Sequence, residues 1–148
     1  MNRLRIAAAT AAILATLGTA ATASAAPPQA VSITVLTQVE GSGDQFAATG
    51  GVVCATGTVS NGPGHFVGGQ STSHAQILLV KEFVCGDGTF DVLLRVNLDF
   101  ETGETVGTWS VLRGTGAYES LHGAGSIVGE RQTGETILDT YTGRLHVD

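Results

Sequence analysis

Few residues of this chain have types and positions that suit chemistry, and Glu82 is the first of them. It lies within the apolar run 77–84, next to Lys81. Because neighbouring side chains of a strand point to opposite faces, one of these two charges lies on the more buried side. A Glu82 that faces inward is a candidate acid or base, since buried titratable groups are typical of functional sites. The alternative, which we favour, is a cross-strand pair with Arg95 or a position at a rim.

Arg95 is the second candidate, and it lies in the middle of a segment of alternating polarity. It shares one face with Asp91, Asn97 and Asp99, opposite a row of six apolar residues. In a barrel with a polar lumen this face would meet a ligand, and Arg95 would polarise an oxygenated substrate. In a barrel with a filled apolar core the same face meets water. Because the apolar row must be buried, we favour the second interpretation.

Three aromatic residues, Trp109, Tyr118 and Tyr141, are further candidates for a ligand site. Aromatic side chains are common in small-molecule pockets and would suit the mouth of a barrel. They also serve as packing residues whose polar edge is tied to a backbone group, and we favour that role. The candidate ligand-binding residues are therefore Glu82, Arg95, Trp109 and Tyr118.

The sequence contains no recognisable catalytic or cofactor motif. It has no G-x-S-x-G nucleophile motif, and the G-x-G at 114–116 lacks the third glycine and the lysine of phosphate-binding loops. The histidines have no spacing that would pair two of them on one element, so we predict no metal site and no cofactor. We expect His65 and His122 in loops and His146 on the last strand.

Strand signals dominate the chain after residue 30. Residues 89–100 alternate between apolar and polar side chains, which predicts a long strand with one buried face. Residues 77–85 are predicted to form its hairpin partner across a turn at 86–88. Residues 61–73 form a long, polar, glycine-rich connection, which we interpret as a loop over one end. Further strands are predicted at 31–39, 51–60, 105–112, 121–130 and 135–147, and this number suits a sandwich or a closed barrel.

The glycine-rich segment 107–129 is the most distinctive part of the sequence, and we expect it to bend the sheet sharply. Its W-x-V-x-x-G-T-G-x-Y-x-x-L-x-G-x-G pattern resembles that of small secreted actinobacterial proteins of the allene-oxide-cyclase-like and dirigent-like barrel group. FVCGDG at 83–88 and YTGR at 141–144 are similar to the same group. The resemblance covers about residues 50–146 and implies a single antiparallel β-barrel of about eight strands that can enclose a cavity. Plant members of the group cyclise or steer hydrophobic, oxygenated substrates.

The first 26 residues have the pattern of a secretory signal peptide, and residues 27–148 are predicted to form the one folded domain. Arg3 and Arg5 precede an alanine-rich apolar core, and an A-x-A cleavage pattern ends at Ala25. The core of about 15 residues is shorter than the roughly 20 that span a bilayer. We therefore expect a secreted, extracellular protein with no membrane attachment after cleavage.

The net charge limits the class of binding partner, and the cysteine content predicts a disulfide. Loss of Arg3 and Arg5 reduces the seven basic residues to five, against thirteen acidic ones, which gives a formal charge of −8. The basic residues are scattered, so we predict no nucleic-acid partner. Cys54 and Cys85 are expected to form a disulfide in an oxidising compartment.

Two functions of different class are compatible with these features. The first is a non-catalytic secreted protein that binds a small hydrophobic or amphipathic ligand or acts through its surface. The second is an isomerase or cyclase that acts on a hydrophobic oxygenated substrate inside the barrel, with Glu82 or Arg95 polarising it. A lumen that holds a cavity with one or two buried charges would favour chemistry, and a filled core would exclude it.

Overall fold

The computed structural model describes residues 26–38, 44–68, 73–134 and 136–148, which form one closed antiparallel β-barrel. The eight strands follow one another round the barrel in chain order, and β8 pairs with β1 to close it. The prediction of an all-β, eight-stranded barrel is confirmed. The strands are β1 (Gln29–Gln38), β2 (Asp44–Thr49), β3 (Thr56–Gly68), β4 (His74–Cys85), β5 (Gly88–Asp99), β6 (Thr105–Gly114), β7 (Leu121–Arg131) and β8 (Thr136–Val147).

Helical structure is minimal in the described part of the chain. It consists of a single 3-10 turn at Gly116–Tyr118, and no helix there is long and apolar enough to cross a membrane. Residues 1–25, which contain nearly all of the predicted signal peptide, lie outside the described residues. The boundary between signal peptide and domain therefore stays a prediction.

The hairpin of β4 and β5 confirms the strongest pattern in the sequence. The two strands pair over their whole length, from His74 with Asp99 to Cys85 with Gly88. One face of β5 points into the barrel and supplies a wall of the core, because its large side chains alternate with the period of the strand. The buried residues of that face are Phe90, Val92, Leu94 and Val96.

The third strand differs from its prediction. The sequence predicts a strand at 51–60 and a loop at 61–73, but β3 begins later and continues well into the predicted loop. Its pairing with β4 shifts register between Asn61 and Gly64. Such a bulge lets a strand accommodate an irregular Asn-Gly-Pro-Gly sequence without ending. The rest of the predicted loop, residues 69–72, lies outside the described residues.

Two further features of the fold depart from expectation. β2 has no predicted counterpart, because its six residues bury one large side chain, Phe46, and its alanines carry little strand signal. His65 and His122 lie in β3 and β7, so their expected placement in loops is wrong. His146 lies on the last strand as expected, and it pairs with His122 across the β7–β8 ladder.

One end of the barrel, which we call the disulfide end, is closed by covalent and hydrogen bonds. Cys54, in the β2–β3 connection, and Cys85, at the end of β4, form the predicted disulfide with a Cα–Cα distance of 6.0 Å. The Tyr118 hydroxyl donates to Asp87 Oδ1 at 2.9 Å and accepts from the Cys54 amide at 3.1 Å. The β2–β3, β4–β5 and β6–β7 connections are therefore tied to one another.

The turn that carries Tyr118 has the geometry that its glycines predict. Gly116 has a φ of +59°, which is the left-handed conformation that glycine adopts at little cost. A Cβ at this position would collide with the carbonyl oxygen of Asp87. The glycine thus allows the β6–β7 connection to fold down against the β4–β5 turn.

An aromatic cluster fills the lumen behind the disulfide end. The rings of Phe83 and Phe90 stack with their centroids 4.9 Å apart, and Phe46, Tyr118 and Tyr141 pack edge-on against this pair. All five side chains are almost completely buried. Stacked and edge-to-face rings bury large apolar areas, so this half of the barrel is a packed core.

Candidate ligand site in the barrel lumen

The half of the lumen away from the disulfide end holds a cavity of about 120 Å³, which we call the lumen cavity. Its polar lining includes Lys81, Asp139, Thr37 and Thr105. The rest of the wall is mostly apolar, and its apolar residues come from four strands (Ile77, Leu79, Leu94, Val96, Ile127, Ile137). Apolar walls with a few convergent polar groups are typical of small-molecule sites.

Lys81 is the least expected residue of the cavity. It is an inward-facing residue of β4, and only 3% of it is exposed. Lysine is almost never fully buried unless it is paired. Lys81 is also the only lysine in the sequence. The chain therefore places its single side-chain amine inside the barrel.

Lys81 is held in a three-residue polar network with Thr37 and Asp139. Its Nζ donates to Thr37 Oγ1 at 3.0 Å, and Thr37 Oγ1 donates to Asp139 Oδ2 at 2.8 Å. The distance from Lys81 Nζ to Asp139 Oδ2 is 3.5 Å. Thr37 thus bridges the two charges, and both charges lie in a low-dielectric environment where their interaction is strong.

Asp139 takes up a proton more readily than an aspartate in water does. Its burial raises the pKa of the carboxyl above the usual 3.8, and this effect outweighs the opposing influences of Lys81 and of the Thr37 hydrogen bond. A carboxyl with a raised pKa that contacts an amine in a cavity is suited to exchange a proton with it.

The hydroxyl of Tyr141 has no hydrogen-bond partner among the described residues, although the residue is only 1% exposed. Burial, together with the carboxylates of Asp139 and Asp44, raises the pKa of this phenol well above 10. The group therefore stays protonated and is available as a donor. A buried polar group without a partner costs about 1–3 kcal/mol.

Gly129 makes the polar part of the cavity possible. It faces inward on β7, opposite Asp139 of β8. A Cβ at this position would overlap the hydroxyl of Thr105 and would lie 2.6 Å from Asp139 Oδ1. The absence of a side chain thus leaves room for two polar groups to face the lumen.

The two charged residues proposed from the sequence lie outside the barrel. Glu82 and Arg95 are both exposed on the outer surface, so neither contacts the lumen cavity. The inward-facing alternative for Glu82 and the lumen-facing alternative for Arg95 are therefore wrong, and Arg95 lies on an exposed face, as favoured from the sequence. Glu82 lies opposite Asp91 in the β4–β5 ladder and Arg95 lies opposite Leu78, so the two residues are not the cross-strand pair expected from the sequence. In β4 it is Lys81 that faces inward. Arg95 lines a groove on the outer surface beside His65 and Leu78.

The two aromatic candidates have packing roles. Trp109 is buried in the lumen, and its Nε1 donates to the carbonyl oxygens of Ser126 at 2.9 Å and Thr142 at 3.3 Å. Tyr118 belongs to the disulfide end, where its hydroxyl is already bonded to Asp87. Both polar edges are thus tied to the protein, as expected for packing residues.

Sequence reasoning missed the partner of Lys81. The apolar residues Ile137, Tyr141 and Leu145 recur on one face of β8, and Asp139 interrupts their row. A charge in the middle of an apolar row is a signal for a buried, paired group. This signal was available in the sequence.

The histidines form no comparable site. His122 Nε2 and His146 Nε2 lie 3.3 and 3.6 Å from the carboxylate oxygens of Asp148. His74 lies 3.7 Å from the carboxylate of Asp99. Over the described ranges, no group of three or more histidine, cysteine, aspartate or glutamate side chains is arranged to hold a metal ion.

Fold and site together define a closed eight-stranded antiparallel β-barrel with a packed apolar core and a small cavity in one half of its lumen. Comparison with protein-family models, with curated proteins and with solved structures finds no match to this chain. The function of this chain is therefore inferred from the geometry of the lumen cavity.

Proposed function

We propose that this protein is a secreted binding protein that holds a small apolar ligand with an oxygen acceptor in the lumen cavity. The observation that carries the proposal is a cavity in the lumen whose mostly apolar wall contains the buried amine of Lys81 and the carboxyl of Asp139. Tyr141, two residues further along the same face of β8, has a buried hydroxyl without a partner among the described residues. Lys81 and Tyr141 are hydrogen-bond donors, which favours a carbonyl, hydroxyl or carboxylate oxygen on the ligand.

The dimensions of the cavity support a small ligand. An apolar cavity of about 150 Å³ accommodates benzene, and the lumen cavity measures about 120 Å³. The ligand that fits has about five heavy atoms. Such a ligand reaches micromolar affinity at best, because binding rarely exceeds about 1.5 kcal/mol per heavy atom.

Export of the protein is part of the proposal. The signal-peptide pattern of residues 1–26 supports it, and so does the Cys54–Cys85 disulfide, because disulfides persist in oxidising compartments. The resemblance of residues 107–129 to the allene-oxide-cyclase-like and dirigent-like group also supports a secreted barrel with an apolar, oxygenated ligand.

A second candidate function is an isomerase or cyclase that works in the same cavity. The observation that favours it is the raised pKa of Asp139 next to an amine and a phenol, because acid–base catalysis needs such groups. Glu82 and Arg95 lie on the outer surface and do not supply this chemistry. In this alternative Lys81 and Asp139 take the catalytic roles.

Binding is tested with ligands of equal size that differ in one oxygen. Butan-1-ol and pentane have the same number of heavy atoms, and only the alcohol offers an acceptor. Trp109 is the only tryptophan of the sequence, and its ring lies 6.4 Å from that of Tyr141, so its fluorescence reports on the site. We expect butan-1-ol to bind more tightly than pentane.

Variants identify the groups that recognise the oxygen. We expect Tyr141→Phe to weaken butan-1-ol binding about fivefold, since a hydrogen bond is worth roughly 1 kcal/mol, and to leave pentane binding unchanged. Glu82→Gln, on the outer surface, is the matched control and should bind as the wild type does. Equal binding of alcohol and alkane, or no binding of either, would contradict the proposal. Native mass spectrometry of the protein from its secretion medium then identifies a retained natural ligand.

A further inference from the structure

The position of the only lysine suggests that the lumen cavity does more than hold a ligand. Secreted, soluble proteins usually carry lysines on the surface, where the ammonium group is hydrated. Here the one lysine of the sequence is 3% exposed and lines the cavity. Its amine is therefore presented to anything that enters the cavity.

We propose that Lys81 Nζ forms an imine with a small aldehyde or ketone that binds in the lumen cavity. This inference rests on the proposed function, because the carbonyl compound must first enter the cavity. It deepens that function by naming the chemical class of the ligand. Carbonyl oxygens are hydrogen-bond acceptors, which suits the donors proposed to recognise the ligand.

The surroundings of Lys81 favour imine formation. Lysines that form imines are activated by an apolar pocket, which reduces the hydration of the ammonium group. Ile77 and Leu79 of the same strand, and Leu94 and Val96 of the next, line the cavity around Lys81. An apolar site also limits the water that would hydrolyse the product.

The network around Lys81 provides for each proton of the reaction. The ammonium group transfers one proton to the carboxylate of Asp139, directly or through the Thr37 hydroxyl that contacts both groups. The amine lone pair forms a bond to the carbonyl carbon, and the carbonyl oxygen takes up the proton to give a carbinolamine.

The second half of the reaction uses the same groups. Asp139 receives another proton from the nitrogen and delivers it to the carbinolamine hydroxyl, which leaves as water while the carbon–nitrogen double bond forms. A protonated imine results when Asp139 returns to its ionised form. In total, one ammonium and one carbonyl compound give one iminium and one water, so no oxidant or reductant is needed.

The experiment traps the imine in the purified, secreted protein with butanal and cyanoborohydride. Reduction converts the imine to a stable secondary amine, which adds one butyl group to the mass. Trypsin then fails to cleave after Lys81, and peptide mapping separates this product from alkylation of the terminal amine. We expect one butyl group at Lys81, formed faster in the folded protein than in urea, and competition by butan-1-ol.

Three variants make the test specific. Lys81→Arg keeps a cation but has no primary amine, and it should acquire no group at position 81. Asp139→Asn keeps the size of the side chain and removes the proton acceptor. It should slow trapping about 100-fold, in line with the usual contribution of an acid–base group. Glu82→Gln should be trapped at the wild-type rate.

The possible outcomes distinguish imine formation at Lys81 from ligand binding without a covalent bond. Butan-1-ol binding together with trapping at Lys81 supports both proposals. Butan-1-ol binding without trapping at Lys81 overturns the imine and leaves the binding function in place. Absence of both binding and trapping overturns both. Trapping that is equally fast in urea also overturns the imine proposal, because the cavity then makes no contribution.

Discussion

Replacing Lys81 and Asp139, singly and together, separates the contribution of the ion pair to folding from its contribution to binding. Lys81→Met keeps an unbranched side chain of similar length. Asp139→Val keeps a side chain that branches close to the backbone. Glu82→Gln is the matched control, because this neighbour of Lys81 lies on the exposed outer face.

The expected size of each effect follows from the geometry. At 3.5 Å and an effective dielectric constant of about 20, the two charges attract each other by about 5 kcal/mol. Removing both from water costs several kcal/mol for each ion, so the net contribution of the pair to stability is close to zero. A single substitution leaves one charge buried alone and costs about 3–5 kcal/mol. The double substitution removes attraction and desolvation together, and we expect it to be neutral or stabilising by about 1–4 kcal/mol.

Urea unfolding and thermal unfolding, each followed by circular dichroism and by Trp109 fluorescence, measure the differences in the free energy of unfolding and in the melting temperature. For a domain of this size, the single variants should melt on the order of 10–20 °C below the wild type. The double variant should recover the wild-type melting temperature. The free energy of unfolding of Glu82→Gln should stay within about 0.5 kcal/mol of the wild-type value. The double variant should also fail to bind butan-1-ol although it is folded.

Two results would refute this reasoning. If the double variant loses the sum of the two single losses, the charges act independently and do not form a coupled pair. If a stable double variant still binds butan-1-ol with wild-type affinity, the pair does not serve the ligand.

The remaining predictions concern the disulfide, one turn and two titratable groups. Intact protein should show no free thiol in denaturant, and replacing Cys54 and Cys85 with alanine should lower the free energy of unfolding by about 3–4 kcal/mol; a detectable thiol would contradict the bridge. Gly116→Val should cost about 1–3 kcal/mol, because φ is +59° there, and an unchanged melting temperature would show that the turn adapts. Burial raises the pKa of Asp139 above 3.8, so its favourable effect on stability is complete below that pH and is lost as the pH rises through the raised pKa. Asp139→Asn should remove this pH dependence from the urea midpoints, and an identical slope in both proteins would show that another group causes it. Tyr141→Phe should raise stability by about 1 kcal/mol, since it removes a buried hydroxyl without a partner, whereas a loss of stability would reveal a hydrogen bond.

Features that depend on local pattern could be predicted from the sequence. The alternation over 89–100 gives β5 its buried face, and the turn at 86–88 places β4 beside it. Two cysteines in a chain with a signal-peptide pattern predict their own disulfide. The glycines around 114–116 predict a turn with positive φ. The disulfide follows from the presence of only two cysteines, and in the other cases neighbouring residues decide the conformation.

Features that depend on distant contacts could not be predicted in the same way. β2 is short, and it is stabilised by pairing with β1 and β3 and not by a strong pattern of its own. β3 continues through Gly-Pro-Gly because its long partner β4 supports it, with a bulge between Asn61 and Gly64. Propensity is a weak guide where pairing supplies the stability.

The orientation of Lys81 has a similar explanation. Its strand is apolar on both faces, since Leu78, Val80 and Val84 point outward while Ile77 points inward. The pattern of β4 alone therefore does not say which of the two adjacent charges is buried. The deciding contact comes from another strand: Asp139 lies within 3.5 Å of Lys81 Nζ on the inner side of the barrel.

The two halves of the barrel differ in what they contribute to stability. The disulfide end combines a covalent bridge, a closed hydrogen-bond network and five packed aromatic rings, all of which favour the folded state. The other half contains an ion pair with little net benefit and a glycine within a strand, Gly129, which costs about 0.5–1 kcal/mol relative to alanine. Tyr141, whose ring belongs to the aromatic cluster, has a phenol without a partner among the described residues. The ion pair lines the cavity, Gly129 lies against two of its lining residues, Thr105 and Asp139, and Tyr141 lies two residues from Asp139 on β8.

Unfavourable features without a common role would be distributed over the structure. Selection for stability alone would favour apolar side chains at these positions. Locally unfavourable groups that converge on one place are expected where function opposes stability. The proposed ligand site in the lumen cavity is such a place. Replacing Tyr141, or replacing Lys81 and Asp139 together, should increase stability or leave it unchanged. The same replacements should abolish or weaken ligand binding. A surface role for the barrel predicts the opposite: these replacements would then leave the function intact, and changes at exposed residues such as Arg95 would remove it.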